Sequence, residues 1–449
     1  MFLSFSFLWS NGKKKTNAPK EFNIWVVWDE TAGFSDIITA FKSRYSDYAN
    51  TDIKFTKFSN YSDYEKTLLN VMSDGNSPDI FVVNNNSTNA EGNWLLESKI
   101  VWLPDSVINE DYFSKNFNKV FDELVLQTDD QNSEWNPIKV NYLKWVPMWY
   151  ETIWVFYNFK KTRNIPTTWS DLDKEIIDSA KEDYSTIWIW YWDKYVINPT
   201  DILTLMFLQN GVSDYTKLNS SNADNSLKAY ISYSSDLNNW LSKFKDELDT
   251  LGLTTTDLFV RWKVWIIIWY PSLIKEIILA IKRTSWDADI SDKYLRTAPI
   301  FQISSSDSWD NKTEKTNLIN YNFFALSKYS NNTELGFKFL AFLSTKEAQE
   351  KYINKFPYYL PALKSLEDWR LDEPLADWYD RAKFKDFISN DVELRSFSKW
   401  LRNEYDNYFD NGLNLINFDT KKFLDKAQSY LDCSVNHVIK WVDFDKQCE

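Results

Sequence analysis

The sequence predicts an α/β protein of two domains, on three observations. The chain has 449 residues, more than a single hydrophobic core usually organises. Short apolar runs bounded by turn residues alternate with amphipathic stretches, the pattern of strands interleaved with helices. Between Lys144 and Leu172, the apolar run Thr152–Tyr157 follows Pro147 and ends at Asn158, which reads as a buried strand leaving through a turn. After Pro166, Thr168 or Ser170 is placed to cap a helix.

Taken in order, residues 1–10 are apolar but too short to span a bilayer. They read either as the tail of a signal peptide or as a disordered tail; Ser10 stands where a lipoprotein signal would need cysteine. Residues 11–20 form a polar tether. Phe22–Trp28 reads as a strand and Gly33–Tyr45 as the helix after it. Asp29 and Glu30 then fall at a strand's carboxyl end, where open α/β sheets bind ligands. Their carboxylates either accept hydrogen bonds from ligand hydroxyls or cap the helix. Asp52–Phe58 and Pro78–Val83 read as strands around a helix at Tyr61–Ser73. Asn84 and Asn85, after the second of these strands, either bind hydroxyls or build a turn. Trp94–Leu103 and Tyr112–Leu126 are expected to be helical, and Thr128–Asn136 a polar loop.

Beyond Leu172 the pattern predicts helix over Ser170–Lys181, strand over Ile187–Tyr191, helix over Pro199–Gln209 and one or two helices over Leu227–Leu248. Thr254 opens a further short helix, and Val264–Ile268 is a strand. Tyr270-Pro271-Ser272 then starts a helix, with Tyr270 offering a ring face beside free amides or packing in the core. Leu295–Pro299 reads as the return to the first domain and residues 302–317 as a loop. Leu318–Leu326 is expected to pair into the first sheet, and Thr333–Lys355 to form one long helix. Tyr358 lies in a Pro-rich segment, lining a cleft or packing; Ser396–Tyr408 and Lys421–Leu431 are the clearest of the last helices.

A net charge of −13 argues against nucleic acid, which demands a basic stripe. The one histidine, His437, cannot build a triad or a two-histidine zinc site, and no glycine-rich phosphate loop occurs. No cofactor is implied. The 64 acidic residues leave paired-carboxylate glycoside hydrolysis open. Cys433 and Cys448 either close a disulfide, worth about 3 kcal/mol on the chain-entropy model, or are free thiols.

Four stretches carry a resemblance. Val146-Pro147, then Phe156-Tyr157-Asn158 and Pro166-x-Thr168-Trp169-x-Asp171-Leu172, form the first. Ser77-Pro78-Asp79-Ile80-Phe81, Phe259–Ser272 and Phe339–Pro361 are the others. Together they resemble bacterial extracellular solute-binding proteins of family 1, the sugar-binding subunits of ABC importers, over residues 22–430. The resemblance implies a periplasmic-binding-protein-like fold of type II, with two α/β lobes, discontinuous in sequence, joined by three hinge crossings. Lobe 1 would be residues 21–150 plus 300–356 and lobe 2 residues 151–299 plus 357–449. It implies hinge closure on a carbohydrate or other polyhydroxylated solute, delivered unchanged to an ABC permease. The carrier would be a monomer, exported and tethered to the outer face of the cytoplasmic membrane. Expected ligand contacts are Trp28, Asp29, Glu30, Asn84, Asn85, Tyr150, Glu151, Tyr270, Ser272 and Tyr358. A secreted glycoside hydrolase and a membrane-tethered sensor or adhesion domain are the alternatives.

The alphabet is unusual. Glycine ordinarily supplies about 7% of residues, or about 31 in such a chain; here there are 8 glycines and 23 tryptophans. Trp145, Trp149, Trp188, Trp190, Trp192, Trp262, Trp265 and Trp269 stand in turns and strand ends. Backbones there turn with positive φ or approach closely, which glycine permits and an indole does not. The reading is that UGA means glycine in the source and has been written as tryptophan. An aromatic-rich sugar binder is the alternative.

Overall fold

Two sheets, each assembled from strands distant in sequence, organise the chain. A computed structural model describes residues 18–27, 30–58, 61–84, 99–117, 125–131, 137–159, 165–172, 185–187, 199–212, 217–235, 251–284, 295–303, 315–356, 358–366, 392–395 and 419–440. The strands are β1 (Glu21–Val27), β2 (Asp52–Phe58), β3 (Ile80–Asn84), β4 (Val125–Gln131), β5 (Pro137–Leu143), β6 (Val146–Thr152), β7 (Trp154–Asn158), β8 (Ser185–Ile187), β9 (Val264–Trp269), β10 (Leu295–Pro299), β11 (Lys315–Leu326), β12 (Leu360–Pro361) and β13 (Val392–Arg395). The helices are α1 (Phe34–Arg44), α2 (Tyr61–Ser73), α3 (Glu110–Asn116), α4 (Pro199–Gln209), α5 (Ser221–Ser235), α6 (Thr255–Val260), α7 (Leu273–Thr284), α8 (Thr333–Leu343), α9 (Lys346–Lys355) and α10 (Thr420–Lys440).

The first sheet runs β12-β6-β11-β3-β1-β2, with β13 beside β11; the second runs β10-β7-β9-β8. In the first, β1 pairs parallel with β2 and β3, and β11 lies antiparallel between β3 and β6. Phe34, Ile37 and Phe41 recur at helical spacing on α1, so that one buried face meets the sheet and its neighbours. Phe34 contacts Phe324 and Tyr352, and Phe41 contacts Phe339 and Phe342. Asp79, 6% exposed, pins the sheet: its Oδ2 accepts from Asn23 N–H at 2.8 Å, and its Oδ1 from the Ser330 hydroxyl and from Asn332 Nδ2 at 3.0 Å.

The crossings are built from adjacent strands. The expected strand Thr152–Tyr157 is split at Ile153, because β6 belongs to the first sheet and β7 to the second. Asn317 on β11 stitches this break: its Oδ1 accepts from Ile153 N–H at 3.3 Å and its Nδ2 donates to Ile153 O at 2.9 Å. β11 itself changes company, pairing with β13 at 315–318 and with the first sheet thereafter. Leu295–Pro299 is an edge strand of the second sheet, paired antiparallel with β7. After β12, on the edge of β6, most of the chain lies outside the described residues until α10. That helix packs on the second unit, where Gln428 Oε1 accepts from Leu218 N–H at 2.7 Å.

Other expectations are corrected. Within Trp94–Leu103, residues 99–103 are not helical; Ile100 and Leu103 make single bridges to Ser327 and Leu143. The helix expected from Tyr112 ends at Asn116, and the polar run after it forms the β4–β5 hairpin. β5 does alternate, Ile138, Val140 and Tyr142 with Lys139 and Asn141, but β4 is polar throughout its second half, and strand pairing satisfies its backbone whatever the side-chain polarity. Thr333–Lys355 is two helices. Ser344 ends the first and Thr345 caps the second, its Oγ1 accepting from Ala348 N–H at 3.4 Å.

One backbone position stands apart. Trp262 has φ +66°, the only described non-glycine residue in the left-handed region. It follows α6, with Trp262 N–H bonded to Phe259 O and Lys263 N–H to Leu258 O. That is the Schellman ending, whose left-handed residue is usually glycine.

Candidate functional site

Where β6 hands the chain to β7, residues at the end of β6 face both units. Glu151, 6% exposed, accepts the backbone N–H of Ser272 on Oε1 at 2.8 Å. Ser272 immediately precedes α7, so a carboxylate of the first sheet serves a helix N-terminus of the second unit, where the helix dipole favours negative charge. On the first turn of α7, the Lys275 ammonium lies 4.7 Å from the Tyr358 ring centroid and 5.7 and 5.8 Å from those of Phe356 and Tyr359. Burial pushes the Glu151 carboxyl up to about 7, against the opposing pull of the Ser272 hydrogen bonds and the Lys275 charge.

Opposite Glu151 in the β6–β11 register is Asn320, and opposite Trp149 is Asn322. Residues paired across antiparallel strands share a face, so these four side chains form one patch. Oδ1 of both asparagines and Nε1 of Trp149 are shielded from solvent with no hydrogen-bond partner among the described residues. Each such group costs about 1–3 kcal/mol. Asn322 also lies opposite Asn84, the last residue of β3.

The structure thus brings Glu151, Ser272 and Tyr358 together, with Tyr270 beside them. Tyr270 is 4% exposed and meets Trp269 edge-on at 5.0 Å. Tyr150 is on the other face of β6, buried against Tyr321 at 4.9 Å. Glu30 begins a short 3-10 turn, Glu30–Gly33, after β1. Trp28, Asp29 and Asn85 lie outside the described residues. Cys433, on α10, is disulfide-bonded, and Cys448 lies outside the described residues. Sequence reasoning missed Lys275, Asn320 and Asn322. The signal for the asparagines is present: Asn317, Asn320 and Asn322 punctuate an otherwise apolar strand, a setting in which asparagine is depleted.

Carboxylate, amides and aromatic rings together offer acceptors, donors and apolar faces, which suits a neutral hydroxylated solute. No helix among the described residues is long and apolar enough to cross a membrane.

A family model for bacterial extracellular solute-binding proteins matches residues 36–384. No curated protein matches the chain. Among solved structures, an ABC substrate-binding protein from Listeria monocytogenes in complex with cycloalternan is 16% identical with a TM-score of 0.64, over 94% of this chain and 99% of that one. The sugar-binding protein of Xanthomonas citri is 13% identical with a TM-score of 0.64, over 95% and 100%. A chitin oligosaccharide binding protein gives 13% and 0.63, over 93% and 99%. At such identities the likeness is one of fold: two α/β lobes of the type II arrangement.

Proposed function

Because the chain belongs to the bacterial extracellular solute-binding proteins, we propose that it captures a carbohydrate between its lobes by hinge closure and delivers it to an ABC permease. The observation that carries this reading is the meeting of groups from both units at the crossing, Glu151 from β6 with Ser272 and Lys275 of the α7 turn. Closure that depends on such a meeting gives a ligand differential contact with the closed state, which is what shifts the equilibrium. Trp28, Asp29, Glu30, Asn84, Asn85, Tyr270 and Tyr358 complete the proposed contacts, and Tyr150, buried against Tyr321 on the other face of β6, is left out. The lobes are residues 21–150 plus 300–356 and 151–299 plus 357–449, except that Glu151, Thr152 and β12 (Leu360–Pro361) pair within the first sheet and so go with the first lobe. The protein acts as a monomer outside the cytoplasmic membrane, tethered there, and breaks no bond in its ligand.

Thermal-shift screening against neutral oligosaccharides tests this. A cognate sugar at about 100 times its Kd stabilises by about 2.7 kcal/mol. Recovery of that sugar with unchanged chain length supports carriage, and shortened products would establish a hydrolase instead.

We also infer that UGA means glycine in the source organism. The support is the left-handed backbone of Trp262 in a glycine-type helix ending, with the shortage of glycine. Mass spectrometry of native peptides spanning 262–269 should find residues of glycine mass; indoles there refute the inference.

A further inference from the structure

β11 carries three asparagines within six residues, and the structure treats them differently. Asn317, fully buried, is engaged on both ends of its amide, with Ile153 and with Leu318 N–H at 2.8 Å. Asn322 is as thoroughly enclosed, at 2% exposure, and Asn320 is half-buried with its Oδ1 sealed; neither Oδ1 has a partner among the described residues. The same strand therefore satisfies an asparagine where its role is to hold the crossing together. Two residues apart on one face, Asn320 and Asn322 stand beside Glu151 at the end of the sheet that meets the second unit. The isolated hydroxyls of Thr204 and Thr297 also lack partners among the described residues, but they sit singly on α4 and β10.

We infer that Asn320 and Asn322 are ligand-contacting amides of the interlobe site, selecting a neutral solute rich in hydroxyl groups. This assignment rests on the carbohydrate reading above and deepens it. An amide Oδ1 needs a donor, and its Nδ2 offers protons to an acceptor; a sugar hydroxyl supplies both functions. An ionised carboxylate supplies acceptors only and a phosphate near neutral pH one or two donors at most, so an anion pairs these two Oδ1 atoms less completely than the many hydroxyls of a sugar, which both donate and accept.

The test compares Asn320→Leu, Asn322→Leu and Asn317→Leu with the wild type. Melting is followed without ligand, with neutral mono- to tetrasaccharides, and with glucuronic acid and inorganic phosphate as anionic arms. For the first two variants the ligand-free melting temperature is expected to hold or rise, because an unpaired buried amide has been removed, while sugar affinity falls about tenfold or more at each site. Asn317→Leu is expected to melt lower without ligand. Should a leucine variant not fold, serine at the same position repeats the affinity measurement with a smaller side chain. Sugar affinity unchanged in both variants overturns the assignment alone, as does a wild type that binds neutral sugar while both variants only melt lower. A wild type that responds to no sugar, or to inorganic phosphate instead, removes the carbohydrate reading and this assignment with it; a preference for glucuronic acid over every neutral sugar overturns the assignment alone.

Discussion

Asp257 and Glu151 are both buried carboxylates at a helix N-terminus, yet their situations are opposite. Asp257 serves its own helix: Thr254 N–H donates to its Oδ2 at 2.9 Å, its own N–H bonds the Thr254 hydroxyl at 3.1 Å, and Arg283 Nη2 reaches its Oδ1 at 3.0 Å. Burial raises that carboxyl, but the Thr254 hydrogen bonds and the Arg283 charge outweigh it and hold the pKa below the ordinary range. Glu151 serves α7 from another sheet, with one backbone donor and a lysine set over aromatic rings, and burial dominates. A carboxylate paired within one turn is structural. One carried across two units and left costly to ionise sits at the joint between them.

The largest expected effect comes from removing the Glu151 charge. Its folded pKa of about 7 lies above the ordinary 4.5, so the native state binds more protons between these values and its stability falls as pH rises through them. Glu151→Gln keeps an acceptor for Ser272 and should exceed the wild type by on the order of 3 kcal/mol at pH 8, the gap closing near pH 4, in denaturant titrations. A variant less stable than wild type at pH 8 would make Glu151 like Asp257 and erase the contrast. Asp257→Ala should cost about 2 kcal/mol at neutral pH from the lost capping box and ion pair. Because the Asp257 pKa is depressed, that deficit should shrink as pH falls below the ordinary carboxylate range, opposite in direction to Glu151; a deficit independent of pH would show that packing alone is lost. The smallest effect is at the other end of the same helix. Trp262→Gly should gain about 1 kcal/mol by relieving the left-handed backbone, read as a higher denaturation midpoint. A loss would mean that the indole contributes more than the strain costs.

Local chemistry was legible without coordinates. Thr254 with Asp257 three residues on is a capping signature, Pro199 opens α4 where a missing N–H is harmless, and the strands β2 and β9 follow runs the pattern marks. The choice of Glu151, Ser272 and Tyr358 came from a family resemblance and from strand-end position. β4 was not legible, since its polar residues carry no distinguishing period, although the alternation of β5 was there to be read; the break at Ile153 inside one apolar run was not legible either.

By itself the sequence determined the α/β class, most strand and helix identities, the family and the shortage of glycine beside an excess of tryptophan, because these are read along the chain. Tertiary structure alone decided which carboxylate would be satisfied and which would be strained, and which asparagines of β11 would find partners. Those outcomes depend on residues such as Ile153 and Ser272 that lie more than a hundred positions away from Asn317 and Glu151. Hydrogen bonding and desolvation act at a few ångströms, and no local pattern reports what a distant segment will bring within that reach.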